Sequence, residues 1–148
     1  MTHLRSRDIS RATAGFARAC AALAIVAIAS FGVLASSQPE TRSVKAGVYT
    51  FEQAERGVAL YKQKCASCHA PSRFTDEDLF LKVYAGKPLW EMFEVISDSM
   101  PEDDPGGMKP EEYAAVIAQL LRMNGFPTGQ TELPTSKEAL GLIVFERP

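Results

Sequence analysis

The chain has 148 residues, of which 46% are hydrophobic and 23% charged, and its formal net charge is −2. This length accommodates one globular domain once any processed segment is removed. The acidic balance, without a basic stripe in the body of the chain, argues against nucleic acid as a partner.

Residues 1–35 predict a secretory signal peptide. Four arginines form a basic leader, and residues 19–35 are then almost wholly apolar or small. An uncleaved membrane anchor is the alternative, because seventeen such residues reach the lower limit for spanning a bilayer. The alanine-rich composition and Ser36-Ser37 favour cleavage. We therefore expect an exported, periplasmic protein that contacts a membrane only if this segment is retained.

Removal of this segment narrows the chemistry that the chain can support. Four arginines and Asp8 leave, a loss of +3, so the formal charge moves from −2 to −5. His3 and Cys20 leave as well. The two remaining cysteines and the one remaining histidine all lie in the motif CASCH, residues 65–69, which is therefore the candidate site.

The body of the chain begins with a helix that leads into this motif. Residues 36–49 are polar and mixed, which predicts a flexible lead-in. The main domain is expected over 50–127. Its first helix begins at Thr50, whose capping-box spacing to Gln53 marks an N-terminus, and it carries one apolar face.

Three further helical stretches are predicted after the motif. We expect a short one over 77–84, a second over 89–97, and a third that begins at Pro110 and ends at Gly125. An acidic loop over 98–109 separates the last two.

A C-terminal extension is expected over 128–148. Thr135 and Glu138 have capping-box spacing before a short helix, and residues 143–145 form an apolar strip with extended backbone. The predicted fold class is mainly α, because neither a repeat nor long strand alternation is present. So small a domain has a thin core, which a large apolar cofactor would complete.

The CASCH motif predicts a covalently attached haem c. Two thiols three positions apart with a histidine directly after match the attachment spacing. Cys65 and Cys68 would each bond one vinyl group of the porphyrin, and the imidazole of His69 would reach the iron. Structural zinc is disfavoured because it usually requires four Cys or His ligands and only three remain. A thioredoxin-like dithiol is disfavoured because the segments on either side of the motif are predicted to be helical. A plain disulfide would leave His69 unexplained.

A second iron ligand must come from a residue other than histidine, and methionine is the next choice in electron carriers. Met92 and Met123 fall on apolar helix stripes, where methionine more often fills the core. Met100 lies in a loop and is held extended by Pro101, whereas Met108 directly precedes a helix start. Helix periodicity favours Met100 and leaves Met108 as its main competitor.

Three segments of the chain resemble monohaem cytochromes c of class I. They are QAERG at 53–57 with Tyr61, the CASCH motif, and SDSMPEDDPGGMKPEEYAAVIAQLLRMNGFP at 97–127. The resemblance covers about 50–134 and is closest to bacterial cytochromes that accompany dehydrogenases, including those using pyrroloquinoline quinone. It implies three to five helices around one covalent haem c, with Met100 of the Met-Pro pair as the distal ligand.

The resemblance also implies a close crossing of the first and last helices of the domain at Gly57. Two positions depart from the family pattern. Lys109 stands where a capping Ser or Thr is usual, and Gln119 stands where an aromatic residue is usual. Neither departure involves the expected haem ligands.

These features predict an electron carrier with no enzymatic activity in isolation. The expected partners are redox proteins: a dehydrogenase as donor, and an oxidase or another cytochrome as acceptor. Charged side chains beside the site would orient such a partner, the alternative being a mixed, solvated surface. These side chains are Lys62, Lys64, Lys82, Lys87 and the acidic residues of 98–104.

Two other functions stay open at this level. The chain could be a dedicated electron-accepting haem subunit of a dehydrogenase complex, with the apolar strip 143–145 as a partner contact. Alternatively, the haem could bind or sense small ligands through an open sixth site, which rapid carbon monoxide uptake would reveal.

Overall fold

The computed structural model describes residues 40–148, so the signal peptide predicted over 1–35 lies outside the described residues. In chain order the elements are β1 (Arg42–Ser43), a 3₁₀ turn (Val44–Ala46), α1 (Phe51–Lys64), α2 (Ser72–Thr75), a π-helical turn (Glu77–Leu81), α3 (Lys82–Tyr84), α4 (Leu89–Ser99), α5 (Pro110–Met123), α6 (Lys137–Leu140) and β2 (Ile143–Val144). The mainly α prediction is confirmed, although residues 40–148 contain six helices where three to five were expected, because three of them are single turns of three or four residues. Within 40–148, each helix is too short or too polar to cross a membrane.

The helices α1 and α5 form the most extensive contact between elements of the domain. Their closest approach is at Gly57, where an added Cβ would lie 2.0 Å from the carbonyl oxygen of Ala115 and 2.9 Å from Cβ of Gln119. Only glycine allows the two backbones to come so near. The crossing implied by the family resemblance is therefore present.

Thr50 caps the N-terminus of α1 as predicted, but only one of the two hydrogen bonds of the capping box forms. Thr50 Oγ1 accepts a hydrogen bond from the Gln53 backbone N–H at 3.1 Å. The Gln53 side chain does not turn back to complete the capping box. Instead, it donates to the Leu133 carbonyl at 3.0 Å and accepts from the Leu133 N–H at 2.7 Å. This buried amide fastens the C-terminal extension to the first helix.

The start of α5 satisfies its backbone without a capping side chain at Lys109, as expected for lysine. The Glu112 carboxylate accepts the Lys109 N–H at 2.7 Å. A carboxylate in the first turn also complements the positive end of the helix dipole. The departure at Lys109 therefore leaves the helix start intact.

The prediction of a flexible lead-in over 36–49 is wrong for the part that the structure describes, 40–49. There β1 pairs in parallel with β2, Arg42 lying opposite Ile143 and Ser43 opposite Val144. The residues of this segment that enter the core are Val44, Val48 and Tyr49. Polar residues and Gly47 make up most of this segment and favour a loop, so its composition concealed the burial of these side chains.

The C-terminal extension packs on its own domain. Ile143 and Phe145 are both completely buried, so they offer no apolar surface to a partner. The apolar strip is extended, as predicted, and it forms β2. The helix before it is capped one residue later than expected, because Ser136 Oγ, not Thr135, accepts the Ala139 N–H at 3.3 Å.

The helix crossing predicts a large effect for a single methyl group. Gly57→Ala should lower the free energy of unfolding by about 1–3 kcal/mol or more, because the new Cβ meets backbone that cannot rotate away. Chemical denaturation followed by circular dichroism measures the loss. Lys62→Ala, at an exposed position of the same helix, should change stability by less than about 0.5 kcal/mol. Equal effects of the two variants would contradict a close crossing.

Candidate haem site

A cavity of about 970 Å³ lies beside the α1–α5 pair. It is at the upper end of the range of about 300–1,000 Å³ that is usual for ligand and cofactor pockets. The four residues predicted as the site, Cys65, Cys68, His69 and Met100, all line it. The fold therefore brings together side chains that lie more than thirty positions apart in the sequence.

The CASCH motif forms one wall of the cavity, in a tight turn that continues α1. The Cys65 N–H donates to the Tyr61 carbonyl at 2.9 Å, and the His69 N–H donates to the Cys65 carbonyl at 2.9 Å. Tyr61 also donates from its hydroxyl to the His69 carbonyl at 2.5 Å. Both thiols and the imidazole thus project from one turn of chain that is fixed to the end of the helix.

The two thiols differ in their surroundings but are both available for reaction. Cys68 is exposed, Cys65 is half-buried, and neither forms a disulfide. Burial raises the pKa of the Cys65 thiol. The pKa of the Tyr61 hydroxyl is also raised, first by burial and then by the negative charge of an ionised Cys65. Tyr61 therefore keeps its proton and remains a donor to the His69 carbonyl.

Two of the four candidate methionines also line the cavity. Met100 follows α4 with an extended backbone (φ −130°, ψ 147°), as predicted from its position before Pro101. Met108 also lines the cavity and is nearly buried. Met92 is fully buried in the core, in agreement with its predicted packing role. The structure thus narrows the distal candidates to Met100 and Met108.

The remaining lining is largely apolar and aromatic. Leu79, Val83 and Val95 line the cavity and are each about half exposed. Phe74 and Phe80 contact each other edge to face, with ring centroids 5.5 Å apart. A flat apolar group bound in the cavity would remove the three aliphatic side chains from water, which is favourable. The lining and the donor set of two thiols, an imidazole and a thioether therefore fit haem c.

The hydroxyl of Tyr113 joins the two ends of the loop from Met100 to Met108. It donates to the Met100 carbonyl at 2.8 Å and accepts from the Met108 N–H at 3.4 Å. A hydrogen bond to the backbone of a distant loop leaves no sequence pattern, so residue spacing alone could not have identified it.

Charged residues are divided between the two sides of the cavity. Lys64 and Arg73 lie on the motif side, and the distal side is lined by Glu102, Asp103 and Asp104. Two of the lysines predicted to flank the site instead form ion pairs at 3.4 Å, Lys82 with Asp78 and Lys87 with Glu91. The acidic loop is thus the more concentrated of the two charged regions at the cavity.

Comparison with known families supports the same cofactor. A family model described as "Cytochrome C oxidase, cbb3-type, subunit III" matches residues 52–120, which include the CASCH motif and both distal methionines. The curated proteins and the solved structures gave no significant match. The match indicates that residues 52–120 are a domain of the c-type cytochrome family, which binds haem c covalently and transfers electrons.

Proposed function

We propose that the protein is an exported carrier of single electrons between periplasmic redox partners, with His69 and Met100 as the axial ligands of its haem iron. The observation that carries the proposal is the cavity itself, which is lined both by the CASCH motif and by Met100. The iron supplies a one-electron redox couple when the haem is bound. The residues around it hold the ligands, exclude water and set the electrostatic environment.

Cys65 and Cys68 are proposed to attach the haem through two thioether bonds. Both lie on the cavity in a turn that is anchored to the end of α1. His69 follows directly and is the one histidine of residues 40–148. The three residues together would fix the cofactor and the proximal ligand along one segment of chain.

Met100 is proposed as the distal ligand in preference to Met108. Its backbone is extended at the end of α4, which leaves its side chain outside the helix and on the cavity wall. The position also matches the Met-Pro pair of class I cytochromes. Methionine ligation raises the reduction potential of a haem relative to stronger donors. Two retained ligands also limit the structural change that accompanies electron transfer.

Export to the periplasm is supported by the N-terminal sequence. Residues 1–35 have the basic leader and apolar run of a signal peptide. If this segment is retained instead of cleaved, the same domain would be tethered to a membrane surface. A dehydrogenase donor and an oxidase or cytochrome acceptor are the proposed partners.

A second candidate function is a haem subunit of a larger oxidoreductase complex. The matching family is described as a subunit of an oxidase, which favours this alternative. The burial of Ile143 and Phe145 removes the apolar strip as its contact surface. Stoichiometric co-purification with a catalytic subunit would support the complex. A monomer in native extracts would support the free carrier.

Substitution of both cysteines should abolish covalent attachment. In the Cys65→Ser/Cys68→Ser double variant the haem should be lost on acid–acetone extraction, because the thioether bonds cannot form. Mass spectrometry of the denatured chain measures the attachment directly. Ser67→Ala, between the two cysteines, is the matched control and should retain the haem. Retention of haem by the double variant would contradict the proposed attachment.

Substitution of Met100 should remove the distal ligand and leave the sixth coordination position of the haem iron open. We expect Met100→Ala to lose the weak far-red absorption band that thioether ligation gives ferric haem, to bind carbon monoxide rapidly when reduced, and to have a lower reduction potential. Met108→Ala is the matched control and should keep the wild-type spectrum. The reverse result would assign the distal ligand to Met108. Rapid carbon monoxide uptake by the wild-type protein would instead indicate an open sixth site.

The acidic loop should influence electron exchange with charged reagents. Glu102→Gln/Asp103→Asn removes two negative charges at the cavity and should slow reduction by hexaammineruthenium(II), a cation, roughly two- to fivefold at low ionic strength. The difference should disappear in about 1 M salt. Glu138→Gln/Glu146→Gln removes two exposed charges that do not line the cavity. Equal slowing by both pairs would show that the loop does not face the electron route.

A further inference from the structure

Two tyrosine hydroxyls contact the backbones of the two proposed iron ligands. Tyr61, on α1, donates to the His69 carbonyl at 2.5 Å, and Tyr113, on α5, donates to the Met100 carbonyl at 2.8 Å. Both tyrosines are buried to within a few per cent of their surface. The two bonds therefore connect both walls of the cavity to the central helix pair.

We infer that Tyr113 is a positioning residue for the distal ligand, which it holds through the backbone of Met100. This inference rests on the proposed role of Met100. The Met108 N–H donates to the same hydroxyl at 3.4 Å, so both ends of the loop from Met100 to Met108 meet at one oxygen atom. The loop between them contains two prolines and two adjacent glycines and has no helix or strand to hold it.

The ring of Tyr113 is itself held in place. Phe93 of α4 contacts it edge to face, with centroids 6.2 Å apart. The hydroxyl is thus fixed relative to both α4 and α5, and Met100 lies directly after α4. Loss of the hydroxyl would leave the ring packed but release the Met100 carbonyl. The thioether would then be free to leave the iron more often, without a change in the core.

The test compares three Tyr→Phe variants of the full haem-loaded protein. Tyr113→Phe should increase the rate of carbon monoxide binding to the ferrous protein roughly two- to tenfold, which corresponds to one lost hydrogen bond. It should also weaken the far-red band of the ferric protein. Tyr61→Phe loses a buried bond on the proximal side. Tyr84→Phe loses a hydroxyl that lines the cavity but is hydrogen-bonded to neither ligand residue.

A merely structural role for Tyr113 predicts that Tyr61→Phe and Tyr113→Phe behave alike. Carbon monoxide binding that rises only in Tyr113→Phe supports the inference. Equal rates in Tyr113→Phe and Tyr84→Phe overturn it. If Tyr113→Phe does not fold, 4-aminophenylalanine and 4-methylphenylalanine at this position make the same comparison, because only the first retains a donor. The amino variant should then match the wild type, and equal rates for the two would overturn the inference.

The same measurements on Met100→Ala separate this inference from the proposed function. An unchanged far-red band in Met100→Ala would refute Met100 as the ligand. A lost band in Met100→Ala, together with wild-type behaviour of Tyr113→Phe, would refute only the positioning role. Wild-type carbon monoxide kinetics in Tyr61→Phe are expected, since the distal side is intact in that variant.

Discussion

The contact between α1 and α5 at Gly57 determines much of the geometry of the site. The backbone of Ala115 approaches so closely that a methyl group at Gly57 would overlap it. Tyr61 lies one turn after Gly57, and Tyr113 lies two residues before Ala115. One backbone contact therefore sets the separation of the two hydroxyls that hold the His69 and Met100 carbonyls. The two walls of the cavity are aligned through this crossing.

The C-terminal extension supports the cavity lining from behind. Phe145, in the C-terminal extension, contacts Phe80 with ring centroids 6.0 Å apart, and Phe80 contacts Phe74 on the cavity. The extension is in turn fastened to α1 by the Gln53 amide. In so small a domain, residues of the C-terminal extension form part of the hydrophobic core. The extension is thus a structural part of the haem site and not an appendage to it.

Features that depend on neighbouring residues could be predicted from the sequence, whereas features that depend on contacts between distant segments could not. The CASCH motif, the Thr50 cap and the burial of Met92 depend on neighbours within a few residues, and residue spacing predicted them. The burial of Tyr49 and the hydrogen bonds between Gln53 and Leu133 depend instead on segments about eighty residues apart in the chain. The spacing of residues within one segment does not predict such contacts. The error over 40–49 arose in this way. Tyr49 of this segment donates from its hydroxyl to the Phe126 carbonyl, 77 residues further along the chain.

The two sides of the proposed haem site are held by different restraints, which would matter for electron transfer. On the proximal side, one tight turn joins His69 to Cys65 and to the end of α1. Thioether bonds at the cysteines would therefore fix the porphyrin ring and the imidazole ligand together. On the distal side Met100 is restrained by its position after α4 and by the hydroxyl of Tyr113. Methionine ligation would raise the reduction potential of the haem, and the proposed bond from Met100 to the iron depends on the distal restraints. If Met100 binds the iron as proposed, restraint of the distal loop would control both the reduction potential and the exclusion of competing ligands.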